Sequence, residues 1–143
     1  KYAELSKNRT TDYIFDWDRM LSFEGNTAPY LQYSYTRIRS LFRKAGVNCL
    51  EGGKIKITEE TEIRLGIKLL QFPEAIEGSL EDYQANVLCA YLYELSGLFN
   101  NFYETCPVLG SHNQTSRLIL CDLTSQIIKQ GLELLGITTV EQM

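Results

Sequence analysis

Histidine is almost missing from this chain: His112 is the lone imidazole among 143 residues, and it stands in the polar stretch "GSHNQ", residues 110–114. An imidazole so placed reads as solvated, not as a general base with an orienting partner. Cysteine is scarce and scattered. Cys49, Cys89, Cys106 and Cys121 form no C-x-x-C pair, so with one histidine no tetrahedral zinc set is visible. Cys89 and Cys121 fall inside apolar patterns and read as small buried hydrophobes. A reducing compartment suits free thiols, the alternative being two disulfides in a secreted protein. No apolar run approaches the ~18 residues that a membrane span needs. The opening "KYAELSKNR" is too polar for a signal peptide and lacks an initiator Met, so it reads as the cut edge of a longer chain.

Catalytic constellations are missing too. Asp16 and Asp18 lie two apart and do not converge as an acid/base pair on a helix. Glu59, Glu60 and Glu62 read as first-turn partners of a helix dipole, and no Gly-rich phosphate loop follows a strand. What is present is an ordinary globular composition, 44% hydrophobic, 22% charged and 11% aromatic, with a net charge of -4. A chain of this size forms one core and buries roughly 68 to 70% of its unfolded surface. The small negative charge argues against promiscuous polyanion binding and leaves room for a local basic stripe.

Apolar positions recur at helical spacing along most of the chain. Ile14, Trp17 and Leu21 predict a short helix within residues 12–23. Thr27 as N-cap, Pro29 in the first turn and Gly46 as a stop predict a second helix from about Ala28 to Lys44, with Arg43 and Lys44 where the dipole favours cations. Residues 47–57 hold a Gly pair and no stripe, and read as a long loop or a small extended excursion. Thr58 is expected to cap a third helix whose buried stripe is Ile63, Ile67 and Leu70, ended or kinked at Pro73. Ser79 with Asp82 resembles a capping box opening a long helix lined by Leu88, Tyr91, Leu95, Leu98 and Phe102. A last long helix carries Leu118, Leu120, Leu123, Ile127, Ile128, Leu132, Leu134 and Leu135, and ends at Gly136. No strand pattern and no internal repeat emerges, so the expected fold is an all-α helical bundle forming a single domain over residues 1–143.

Residues 26–46, "NTAPYLQYSYTRIRSLFRKAG", crowd aromatics and then cations together. Advancing about 100° per residue sorts them into three sides. Leu31, Tyr35, Ile38, Phe42 and Ala45 line the core side. Tyr30, Tyr33, Arg37 and Lys44 share a second, with Ser34, Ser40 and Leu41 beside them. Gln32, Thr36, Arg39 and Arg43 form a third, polar and basic. Flat rings stack on unpaired bases and guanidinium or ammonium groups hold phosphates, which makes the second side a candidate RNA surface. The same pattern also suits tyrosines half-buried against a neighbouring helix beside solvated arginines. Tyr103 follows Tyr93, Ser96 and Asn100 on a polar-aromatic side, or else closes the end of a buried helix.

The strings "FDWDRMLSFEGNTAPYLQYSYTRIRS", "YLYELSGLFNNFYETCPVL" and "SRLILCDLTSQIIKQGLELLGITTVEQM" closely resemble the C-terminal part of arginyl-tRNA synthetases, class I aminoacyl-tRNA ligases. The likeness covers essentially the whole chain and is least distinctive over residues 47–80. It implies the helical anticodon-binding domain of that family, with residues 1–12 as the tail end of the catalytic domain. It implies the partners as well: tRNA for arginine, through its anticodon stem-loop, and the catalytic domain of the same enzyme, in a cytoplasmic monomer that engages neither DNA nor membrane. Carried over by position, the RNA-facing residues are Tyr30, Tyr33, Arg37, Tyr103 and Met143, and the helical sorting adds Lys44. The segment "TTVEQM", residues 138–143, is expected to pack back on the "PYLQY" helix through Val140 and Met143.

Three departures qualify the likeness. The chain ends Glu-Gln-Met where the family often has Glu-Arg-Met, the Asp-Ala-Leu-Arg string that names the domain class does not occur, and neither the H-I-G-H nor the K-M-S-K-S signature is present. The chain is therefore expected not to activate arginine and to need no cofactor, ATP belonging to the parent enzyme. The alternative is a helical protein-interaction module whose aromatic-basic face meets an acidic partner or another copy of itself.

Overall fold

A computed structural model describes residues 1–47, 52–81 and 83–143. Among the described residues there are seven helices and no strand: α1 (Tyr2–Leu5), α2 (Trp17–Met20), α3 (Ala28–Ala45), α4 (Glu60–Leu70), α5 (Phe72–Glu81), α6 (Ala85–Thr105) and α7 (Gln114–Leu134). The all-α expectation holds. Helix α6 is the central post, with Cys89, Leu92, Leu95, Phe99 and Phe102 fully buried along it. Helices α4 and α5 pack against it, as do α3 and α7, which also pack on each other, and α1 joins α6. Gly131 lets α7 come close: a Cβ there would lie 2.6 Å from Leu92 Cδ2.

Helix α3 has the boundaries its sequence announces. The Thr27 hydroxyl accepts from the Tyr30 backbone N–H at 3.3 Å and itself donates to the Ser22 carbonyl at 2.5 Å. At the other end Gly46 adopts φ 67°, and the N–H groups of Gly46 and Val47 return to the Arg43 and Phe42 carbonyls, a Schellman closure. Leu31, Tyr35, Ile38 and Phe42 are buried as expected, and so are Ser34, Thr36 and Leu41, which periodicity assigned to the other two sides. The hydroxyls of Ser34 and Thr36 are satisfied within the helix, on the Tyr30 and Tyr33 carbonyls.

Helix α4 corrects the reading of its own stripe. Ile63, Ile67 and Leu70 are exposed, and Glu62, Leu65 and Leu69 face inward. The cause is a buried ion pair: Arg117 Nε of α7 donates to Glu62 Oε1 at 2.7 Å, and Arg117 also donates to the Pro107 carbonyl at 2.8 Å. The other Glu62 oxygen accepts from the N–H groups of Thr58 and Glu59 at 2.7 and 3.1 Å. Glu59, not Thr58, is the N-cap, in a capping box with Glu62. Burial pushes the Glu62 carboxyl up, yet the bonds from Thr58, Arg117 and Glu59 outweigh it and hold the group below its ordinary value. Turning this carboxylate inward rotates the isoleucines out.

Other boundaries differ as well. Residues 12–16 are not helical, and α2 is a single turn capped by the Asp16 carboxylate on the Arg19 N–H. Ile14, Trp17 and Leu21 are exposed, since one turn has no face long enough to bury such a stripe. Pro73 does interrupt the chain, but a new helix, α5, starts beside it, and Ser79 lies within α5 with its hydroxyl on the Ala75 carbonyl. It therefore caps nothing; Asp82 lies outside the described residues, and α6 begins from Gln84. On α7 Leu123 and Leu134 are exposed while Leu118, Leu120, Ile128 and Leu132 are buried, and the closure at Gly136, φ 67°, is as expected.

Residues 52–58 form neither helix nor strand, and Gly52 takes the left-handed φ of 73°. Cys89, Cys106 and Cys121 are free and buried, and burial raises the Cys89 thiol to about 11 and that of Cys121 to about 12. Cys49 lies outside the described residues. His112 is exposed in its loop. Among the described residues no helix is long and apolar enough to cross a membrane.

Candidate nucleic-acid interface

The three sides of α3 meet three different neighbours. The core side meets α6 and α7. The second side opens into a groove of about 380 Å³, whose lining includes Tyr33, Arg37, Arg43 and Lys44 from α3, Tyr103 from α6, and Met143. Five of the six residues singled out in the sequence thus come together across a separation of more than a hundred positions. No acidic residue lines the groove, so a chain of net charge -4 nonetheless presents three cations at one place.

Arg37 is the centre of the arrangement. Its guanidinium carbon lies 5.2 Å from the Tyr33 ring centroid and 5.1 Å from that of Tyr103, so it bridges the two rings. Each contact is worth about 0.5 to 1 kcal/mol where water reaches it and more where it does not. Arg37 also donates to Asn100 Oδ1 at 3.2 Å, and Asn100 donates to the Tyr30 hydroxyl at 2.9 Å. The cation is therefore held in place before any ligand arrives. Tyr33 remains 42% exposed, enough of its ring to accept a flat partner.

Tyr30 is the residue that stands apart. It does not line the groove; its ring packs on Tyr93 at 5.5 Å between centroids and its hydroxyl is taken by Asn100. It lies one turn before Tyr33 and leans toward α6, so its connection to the groove runs through Asn100 and Arg37. The polar side expected on α6 is likewise interrupted, for Ser96 is fully buried and its hydroxyl has no partner.

The third side of α3 is covered by the segment after α7. Gln32 donates to the Thr138 carbonyl at 2.7 Å, the Tyr35 hydroxyl to Glu141 Oε1 at 2.9 Å, Arg39 to Glu141 Oε2 at 3.1 Å and Arg43 to the Glu141 carbonyl at 3.1 Å. The return of this segment onto α3 agrees with expectation, but its means do not. Val140 and Met143 are 38% and 59% exposed, and polar contacts centred on Glu141 make the attachment. The bonds from Arg39 and Tyr35 hold the Glu141 carboxyl below its ordinary value, while burial and then Glu141 raise the Tyr35 hydroxyl. Sequence reasoning missed Glu141, although a signal exists: α3 carries Arg37, Arg39, Arg43 and Lys44 and no acidic residue at all.

A larger hollow, about 740 Å³, lies between α1 and residues 12–27 and has mixed charge, with Lys7 and Arg19 beside Asp12, Asp16 and Glu24. Among the described residues no group of three His, Cys, Asp or Glu side chains is arranged to hold a metal ion.

The profile described as "DALR anticodon binding domain" matches residues 31–143, from the first turn of α3 through the groove to Met143. The chain belongs to the DALR anticodon binding domain family. This DALR domain is 58% identical over 147 residues to an arginine–tRNA ligase of Mannheimia succiniciproducens, and 59% identical over 148 residues to one of Histophilus somni. In both cases all of this chain is covered but only 26% of the relative, so the chain spans about a quarter of their length. Among solved structures, arginyl-tRNA synthetase of Plasmodium falciparum superposes with a TM-score of 0.91 at 39% identity over 99% of this chain and 26% of that one. The Thermus thermophilus arginyl-tRNA synthetase gives 0.76 at 35% identity over 86% of this chain and 22% of its own. The family match holds although the four-letter string of the family's name is absent from this DALR domain.

Proposed function

We propose that this DALR domain binds the anticodon stem-loop of tRNA for arginine, as part of an arginine–tRNA ligase. The observation that carries the reading is the Tyr33–Arg37–Tyr103 stack at the centre of a groove without acidic residues. An anticodon loop offers unstacked bases on a bent phosphate backbone. Tyr33 and Tyr103 supply ring faces for such bases, Lys44 and Arg43 supply cations for the adjoining phosphates, and Met143 supplies an adaptable apolar edge. Arg37, already fixed between the rings, presents its remaining donors without a further ordering cost. Tyr30 serves from behind, by positioning Asn100.

Arginine activation and ATP belong to the rest of such a ligase, working in the cytoplasm, and this chain alone is inactive. It is expected to show no arginine-dependent exchange of pyrophosphate into ATP above a heat-killed control. The binding claim is tested by titrating an arginine anticodon stem-loop and a scrambled-loop control over a range of salt. Phosphate contacts weaken with salt while loop discrimination persists, so the ratio of the two affinities should stay high as both fall. Equal weak binding to both RNAs would favour a protein-interaction module using the same face.

A further inference from the structure

Helix α3 offers four cations and no acid, yet only three of them line the groove. The fourth, Arg39, is occupied by Glu141, and the same residue's carbonyl receives Arg43. Glu141 also takes the Tyr35 hydroxyl, so this one residue receives three of the four side-chain bonds that α3 donates to the segment after α7. Two residues further on, Met143 lines the groove with Gln142, although Val140 and Met143 are themselves 38% and 59% exposed. Their apolar contacts are too thin to hold the segment.

Resting on the RNA reading above, we infer that Glu141 is a positioning residue for the groove. Its carboxylate pins residues 138–143 on α3 so that Met143 stands at the groove, and it masks Arg39, which confines the available positive charge to Arg37, Arg43 and Lys44. The two effects act in the same direction. A fixed Met143 adds a contact that depends on the shape of the loop, and a masked Arg39 withholds a contact that any phosphate would satisfy. Specificity gains and indiscriminate affinity falls.

The variant Glu141→Gln keeps the side chain's shape and removes its charge. Affinity for the arginine anticodon stem-loop relative to the scrambled loop should drop about tenfold, the size of one charge-assisted contact. At low salt the scrambled loop should bind more tightly than to wild type, with the slope of log K against log salt steeper by about 0.7, one more phosphate on a single strand. A residue of purely structural value would weaken both RNAs alike. The charge exchange Glu141→Arg with Arg39→Glu should restore discrimination that Glu141→Arg alone abolishes. An RNA-free readout accompanies these: with Tyr33 and Tyr103 lining the same groove, the Met143 methyl resonance should lie away from its random-coil position in wild type and return to it in Glu141→Gln while the melting temperature stays nearly constant. Unchanged discrimination and an unchanged Met143 methyl in Glu141→Gln would overturn the inference. If wild type itself fails to discriminate the loops, the RNA reading falls, and the methyl shift still decides whether Glu141 pins the segment.

Discussion

Two arginine–glutamate pairs tie distant parts of this chain together, and they do different work. Arg117–Glu62 joins α7 to α4 with side chains 8% and 0% exposed, at 2.7 Å. Arg39–Glu141 joins α3 to the segment after α7 at 3.1 Å, with side chains 30% and 64% exposed. In the first, both charged side chains are all but sealed from water, the carboxylate is surrounded by backbone and side-chain donors, and the orientation of α4 depends on it. In the second, water competes for both members, so the pair contributes little to stability. What it can do is choose where a short segment rests. The same chemistry thus builds the fold at one depth and arranges the proposed RNA surface at another.

The contrast breaks most visibly in stability. Arg117→Met leaves the Glu62 charge buried and unpaired and should cost about 3 to 5 kcal/mol in urea denaturation, whereas Arg39→Met should cost less than about 1 kcal/mol. Phe42→Ala, which removes a ring only 2% exposed from the core side of α3, belongs with the large effects at roughly 3 to 5 kcal/mol.

Acid sharpens the same contrast. Folding holds the Glu62 carboxyl below its unfolded value, so the folded state binds fewer protons and the stability this provides is present above the unfolded value and lost as pH falls through the folded one. Thermal melts should therefore show stability declining below about pH 4, the ordinary carboxylate range. Glu62→Gln should remove much of that decline. Glu141→Gln should leave most of it in place, because a solvent-screened pair transmits little of its shift to stability.

The smallest effects on stability should be the largest on binding. Tyr33→Ala and Arg37→Ala sit on the groove side, and each should cost about 1 to 3 kcal/mol of stem-loop affinity if a base stacks there, with helicity by circular dichroism unchanged. Tyr33→Ala unfolding the domain as badly as Phe42→Ala would place Tyr33 in the core and remove the groove reading.

Much of this was legible because local chemistry decides it. Thr27, Pro29 and Gly46 fix the ends of α3 without help from the rest of the chain, and the turn-by-turn spacing of Tyr33, Arg37 and Lys44 fixes their common side. Tyr103 and Met143 were reachable through family resemblance, which supplied the long-range pairing that periodicity lacks. Several misreadings involve partners far off in sequence. Nothing near Glu62 announces Arg117, 55 positions on, so Ile63, Ile67 and Leu70 looked like the inward stripe. Nothing near Glu141 announces Arg39, 102 positions back, so Val140 and Met143 looked like the anchors. Tyr30 shares the general side of Tyr33, but Tyr93 and Asn100 of α6 draw it away. At Ile14, Trp17 and Leu21, helical spacing was present without the chain length to use it.

The central claim is that the Tyr33–Arg37–Tyr103 groove is where the anticodon loop rests. The most direct measurement is a titration of the isotope-labelled chain with an arginine anticodon stem-loop, following side-chain resonances by NMR. The account predicts that the Tyr33 and Tyr103 rings, the Arg37 guanidinium and the Met143 methyl shift together and saturably, while Ile63, Ile67 and Trp17 stay still. Saturable shifts that gather on Ile63 and Ile67, or on Ile14 to Phe23, with the groove unmoved, would contradict it.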